Sequence, residues 1–361
     1  MRLELSLGVV LALSLAACGG GGPSTVGKST SSVALDVGIL PSAVPQSVAS
    51  EPTTAAAVTT VATQPVAAIT TTPTVTTTIP APPAPSVKCI AKGGTMTTTA
   101  GRHVVLRLPG FDGPVPTIIV MHGYTGTPAG IEKYSELTQL ANANGVAVMY
   151  PEGTATSSGG FGWATDAGMF ATSGVDDVAA LGEMIDATVA TGCVDPKRLV
   201  ISGESNGAGM ALVALCDGRL RGLFAAAVLV IPAVDNAVLN HCLDAGTLPI
   251  GLSVVAGKLD RTVGYADGRP PLLPAEEWFA KAASLVNSCD AQAPRRTAVD
   301  EFVERLVMGG CRACSVMFAV ADGTHTWPGS SRGTGGLTPG TFDLNPRLVA
   351  LALNPQQGCL A

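Results

Sequence analysis

From Cys89 onward, short apolar runs alternate with stretches whose apolar residues recur at helical spacing, and this alternation restricts the fold more than any other feature. Residues 104–108, 117–121, 146–150, 198–202, 223–231, 250–256 and 314–321 read as strands. Residues 131–144, 175–191, 206–215, 275–286 and 346–353 read as helices. In 175–191, for example, Val178, Leu181, Met184, Ile185 and Val189 share one face. Strand–helix alternation of this kind predicts an α/β fold with a largely parallel sheet flanked by helices.

Two segments of different composition precede that domain. Arg2 is followed by an apolar run over 5–16, too short to span a bilayer and of the length expected for the core of a signal peptide, although Glu4 offsets its charge. The run ends in Leu15-Ala16-Ala17-Cys18, which resembles a bacterial lipobox. Residues 1–17 are therefore expected to be a lipoprotein signal peptide, and Cys18 a lipid anchor holding the protein outside the cytoplasm, on a membrane or secreted. Residues 18–86 are rich in Ser, Thr, Pro and Ala, contain no aromatic residue and carry few charges. Such a segment buries too little apolar area to offset its ordering entropy, so a disordered linker is expected, with 87–361 as the globular domain. That linker also accounts for a charged fraction of only 13%. A net charge of -6 with 21 Lys+Arg argues against a nucleic-acid partner, and membrane contact is expected through the anchor alone.

The sharpest local signal is Gly203-Glu204-Ser205-Asn206-Gly207, a G-x-S-x-G between an expected strand and an expected helix. This is the context in which a tight turn lifts a serine hydroxyl above a sheet as a nucleophile. A serine needs a base, and the chain has four histidines. His103 opens an early strand, His122 follows a buried strand in a loop it would brace, and His241 sits in a loop-like stretch. His325 follows a late strand, as a base in the order Ser…Asp…His should. Asp260, the first carboxylate after the 250–256 strand, is the expected acid, with Asp267 and Asp322 as competitors. The oxyanion hole should take one backbone N–H from Asn206 and another from Tyr124 or Thr125, between which the sequence does not choose. Trp163 and Trp327 are candidate walls of a substrate pocket. Asp176 and Asp177 read as acidic residues at a helix N-terminus rather than as metal ligands, and neither a metal nor a cofactor is expected.

His122-Gly123-Tyr124-Thr125-Gly126, Val194-Asp195-Pro196-Lys197-Arg198, the turn around Ser205, the 257–265 segment with Asp260, and His325-Thr326-Trp327-Pro328-Gly329 occur in one order. Together they resemble the secreted esterase family of polyhydroxybutyrate depolymerases and of feruloyl and acetylxylan esterases. The resemblance implies an α/β-hydrolase that cleaves carboxylic esters without a cofactor, with Ser205, His325 and Asp260 as its triad. Glu204, Lys258 and Leu259 depart from the family pattern, as does the Ala-Asp-Gly-Thr string before His325. Eight cysteines besides Cys18 are expected to be oxidised in an exported domain. The resemblance implies Cys216 with Cys242 and Cys289 with Cys314, leaving Cys89, Cys193, Cys311 and Cys359 to pair. About thirty-six residues follow His325, too few for a polymer-binding module, which favours soluble or cell-wall-linked esters over crystalline polyester. A serine peptidase on the same fold and a non-catalytic envelope-binding lipoprotein are the alternatives.

Overall fold

The structure, a computed structural model, describes residues 89, 93–165, 174–243, 246, 248–332 and 340–361. The signal peptide, the Cys18 anchor and the 18–86 linker lie outside the described residues. The domain is built on a ten-stranded sheet. In chain order its strands are β1 (Gly94–Thr97), β2 (His103–Arg107), β3 (Val115–Met121), β4 (Ala147–Pro151), β7 (Val194–Glu204), β8 (Phe224–Val230), β9 (Gly251–Gly257), β10 (Arg295–Ala298), β11 (Val303–Val307) and β12 (Ser315–Val320). A separate two-stranded ribbon joins β5 (Thr154–Ala155) to β6 (Phe161–Gly162). The order across the sheet is β1-β2-β4-β3-β7-β8-β9-β12-β11-β10. The six strands from β4 to β12 pair in parallel, and antiparallel strands close each edge.

Both faces of the central strands are buried, which is why they read as continuous apolar runs. Along β3, Ile119 and Met121 pack into one core, while Ile118 and Val120 pack into the other. The first core lies beneath helices α3 (Asp177–Val189), α4 (Asn206–Cys216), α5 (Asn236–Asn240) and α6 (Ala275–Asn287). The second lies beneath α1 (Pro128–Ser135), α2 (Leu137–Ala143) and α7 (Leu344–Leu353). Asp176 caps α3 by accepting from the Ala179 N–H, and Asp177 is buried against Arg102 at 2.7 Å, Thr154 and the Ala164 N–H.

Three expectations need correction. Residues 131–144 do not form one helix. Glu136 stands at φ 55° between α1 and α2, and its carboxylate accepts from the Ser331 N–H and hydroxyl, each at 2.7 Å, and from Arg332. A tertiary partner nearly two hundred residues away thus overrides local helical periodicity. Strands β1, β10 and β11 were not anticipated, because strands at or next to a sheet edge, with exposed or half-buried faces, lack the apolar run of the interior ones. The implied Cys289–Cys314 pair is also wrong. The disulfides are Cys89–Cys193, Cys216–Cys242, Cys289–Cys311 and Cys314–Cys359. Cys289, after α6, packs into the first core, whereas Cys314 packs with Cys359 against the second, so the sheet separates them. A non-reducing peptide map should recover Cys289–Cys311 and Cys314–Cys359 linked peptides; a Cys289–Cys314 peptide would refute this arrangement.

Candidate active site

Strand β7 ends at Glu204 and α4 begins at Asn206, so Ser205 alone makes the turn, at φ 55° and ψ -118°. A non-glycine residue held there stores on the order of 1–3 kcal/mol of strain, which the surroundings must overcome. They do so by close packing. A Cβ on Gly203 would meet the Gly207 carbonyl oxygen at 2.4 Å, and a Cβ on Gly207 would meet the carbonyl oxygens of His122 and Met121 at 2.5 and 2.6 Å. The Ser205 N–H donates to the Val230 carbonyl at 3.0 Å, tying the turn to β8. The helix behind it directs its unsatisfied first N–H groups toward the serine.

His325 and Asp260 reach Ser205 from the next strands over. Gly257 at the end of β9 pairs with Val320 at the end of β12. The Lys258 N–H then donates to the Val320 carbonyl and the Leu259 N–H to the Gly323 carbonyl, so the two following loops run together. His325 Nδ1 lies 2.7 Å from Asp260 Oδ2, and Nε2 lies 3.0 Å from Ser205 Oγ. Asp260 is buried, and its Oδ1 accepts from the Thr262 and Val263 N–H groups at 2.8 and 3.1 Å. Burial works against the imidazolium of His325. The Asp260 hydrogen bond and the charges on Glu204 and Asp260 outweigh it and hold the ring above its usual pKa. Asp322 instead accepts from Thr341, and Asp267 is exposed in a loop. His103 pairs with Thr97 across β1 and β2.

The loop after β3 forms a tight turn closed by the Gly126 N–H on the Gly123 carbonyl at 3.0 Å, with Thr125 at φ 63°. Tyr124 and Thr125 both sit in this turn beside the serine. His122 braces it, as expected from sequence. Its Nδ1 donates to the Gly123 carbonyl at 2.8 Å and its Nε2 accepts from the Gly153 N–H at 3.1 Å, which fixes a neutral tautomer. Trp163 Nε1 donates to the His122 carbonyl, and the Asn206 side chain pairs both ways with the Trp163 backbone, at 2.7 and 3.0 Å. That use of Asn206 was not foreseen.

Neither tryptophan lines a pocket. Trp163 is 1% exposed and committed to the brace just described; Trp327 is 0% exposed, with its indole N–H donated to Asn345 at 2.9 Å. An indole whose ring is packed and whose donor is satisfied has nothing left for a substrate. The concave space beside the serine is a cavity of about 330 Å³ lined by Gly123, Tyr124, Ile131, Tyr134 and Glu204. A groove of about 520 Å³ borders Asp260 on the side of Arg261 and Arg269. Glu204 is the residue whose position sequence reasoning undervalued. A charged side chain next to Ser205, within a buried turn, was the available signal. Among the described residues, no group of three or more His, Cys, Asp and Glu is arranged to hold a metal ion.

Burial lowers His122 to a pKa of about 4, against the pull of its hydrogen bond to Gly123. The unfolded chain therefore binds a proton at this position more readily than the folded one. The stability this ring contributes is complete above its ordinary value near 6.5 and is lost as pH falls from there toward 4. Chemical denaturation across that window should cost wild type about 3 kcal/mol more than a His122→Gln variant, which has no titrating ring. Equal pH slopes for the two proteins would refute the buried neutral ring.

A family model described as the prolyl oligopeptidase family matches residues 132–243, about a third of the chain and including Ser205. "Putative esterase NocK" of Nocardia uniformis subsp. tsuyamanensis is 29% identical over 255 residues, covering 65% of this chain and 69% of that protein. Feruloyl esterase B of Piromyces equi is 32% identical over 119 residues, which is 32% of this chain and only 22% of that protein. Among solved structures, an acetyl xylan esterase from Aspergillus awamori aligns with a TM-score of 0.48 at 16% identity, over 67% of this chain and 93% of that one. The doubly covered, mainly parallel sheet is that of an α/β-hydrolase fold, and both sequence relatives are named as esterases.

Proposed function

We propose that the protein is an exported serine esterase in which Ser205 attacks the ester carbonyl, His325 takes and returns the proton, and Asp260 orients His325. The observation carrying this reading is the continuous hydrogen-bonded chain from Asp260 through His325 to Ser205, at 2.7 and 3.0 Å. In the first half-reaction the serine oxygen bonds to the carbonyl carbon while its proton passes to His325 Nε2. The resulting oxyanion accepts from the Asn206 N–H and from that of Tyr124 or Thr125. His325 then protonates the departing alcohol, leaving an acyl-serine. Water, deprotonated by the same ring, releases the acid and restores the hydroxyl.

The name of one sequence relative, a feruloyl esterase, and the resemblance to polyhydroxybutyrate depolymerases support a carboxylic ester as substrate. Four disulfides suit an oxidising compartment, in keeping with export and with lipid attachment at Cys18. A peptidase reading has one specific observation behind it, the match of 132–243 to the prolyl oligopeptidase family. Turnover of matched ester and anilide substrates separates the two readings, and ester cleavage alone is expected.

Replacing Ser205 or His325 with Ala should lower turnover on the order of a million-fold, since a serine without its base is a poor nucleophile at neutral pH. Asp260→Asn should lower it roughly ten-thousand-fold with the fold intact, by favouring the wrong imidazole tautomer. Asp267→Asn and Asp322→Asn should change it far less. Loss of hydrolysis in either of these two, with Asp260→Asn active, would overturn the acid assignment while leaving the serine–histidine pair standing.

A further inference from the structure

His325 is flanked by carboxylates at both ring nitrogens. Asp260 Oδ2 lies 2.7 Å from Nδ1, and Glu204 Oε1 lies 3.9 Å from Nε2, the nitrogen that faces Ser205. Glu204 is held in this position. The Gly123 N–H donates to its carboxyl group, and a Cβ at Gly123 would stand 2.4 Å from its Oε2, so only glycine leaves room for it. Its side chain is 13% exposed and lines the cavity beside the serine.

The charges facing this ring come from two elements other than its own. Glu204 stands at the end of β7, Asp260 in the loop after β9, and His325 itself in the loop after β12. The loop after β3 adds a backbone N–H and the neutral His122, whose Nδ1 is turned to the Gly123 carbonyl. Among the described residues, neither carboxylate is paired with a lysine or arginine. A second carboxyl group is therefore aimed at the imidazole, with no lysine or arginine paired to it among the described residues.

We propose that Glu204 is a positioning residue for His325: its carboxylate stabilises the imidazolium that forms as Ser205 loses its proton, from the side opposite Asp260. The proposal rests on the reading of Ser205, His325 and Asp260 as the triad. The reaction converts a neutral serine–histidine pair into a charged one in a site largely closed to water, where a fixed carboxylate acts more strongly than in bulk solvent. The same charge favours the imidazolium in the resting enzyme, so it raises the pH at which the base becomes available. Burial pushes the Glu204 carboxyl above the usual carboxylate range, opposed by His325 and the Gly123 N–H. The residue thus raises the rate once the ring is neutral and demands a higher pH to make it so.

Because one interaction acts on one species, its two effects should match in size. The test is kcat/KM against pH on a soluble p-nitrophenyl ester, for the full chain and its Glu204→Gln variant. Gln keeps the shape and can still accept from the Gly123 N–H through its amide oxygen. The variant should show a plateau about tenfold lower and an acid limb moved down by about one pH unit. The two curves should therefore converge on the acid side and separate only above the limb. Glu204→Met, which also removes the charge, should shift the limb equally, and it serves where Gln perturbs folding. A uniformly lower curve with an unmoved limb would mean a structural role and overturn the proposal. So would a change confined to KM, which would make Glu204 a substrate contact. Ser205→Ala, measured alongside, keeps the two readings apart. Retained activity there would strike the triad itself, whereas an inactive Ser205→Ala with an unaltered Glu204→Gln profile strikes only the role of Glu204.

Discussion

The parallel pairing of the central strands is the constraint from which the site follows. Six strands running the same way bring all their carboxyl ends to one edge, and the loops leaving β3, β7, β9 and β12 converge there. The register of β9 against β12 sets Asp260 beside His325, and the hydrogen bonds from Lys258 and Leu259 keep the two loops from parting. The turn at Ser205 is fastened to β8 through the Val230 carbonyl. The hydrogen-bonded set of Ser205, His325 and Asp260 thus needs no long-range fitting beyond the order of the strands.

What keeps this edge rigid is polar rather than apolar. His122, Trp163 and Asn206 form a closed set in which every buried donor and acceptor named above has a partner. Such a network is costly to leave half made, and so it specifies one arrangement. It also spans the gap between the loop after β3 and the start of α4, the two sources of backbone N–H groups facing the serine. Small shifts in either would widen the space in which an oxyanion must be held.

The meeting of Ser205, His325 and Asp260 was legible in the sequence because each follows a strand with a strong apolar run and because so few histidines compete. The order of Ser205, Asp260 and His325 needed only a sense of which loops follow buried strands. What was not legible depended on partners distant in the chain. Glu136 breaks a helix because Ser331 and Arg332 call its carboxylate outward. Trp163 and Trp327 look like pocket walls by proximity to the motif, but their indole donors are claimed by His122 and Asn345. Cys289 and Cys314 are separated by a sheet whose sides cannot be told from spacing. Glu204 stood out by type, yet its direction toward the imidazole is set by Gly123, eighty residues earlier.

Cys89 is bonded to Cys193, immediately before β7, and the Val115 N–H at the start of β3 donates to the Cys193 carbonyl. The chain therefore enters the domain at the amino ends of the parallel strands, a full strand length from Ser205. Any pull exerted on the chain ahead of Cys89 runs first into a covalent crosslink at the foot of the sheet. The crosslink passes such a pull to the residue ahead of β7, at the opposite end of that strand from Ser205.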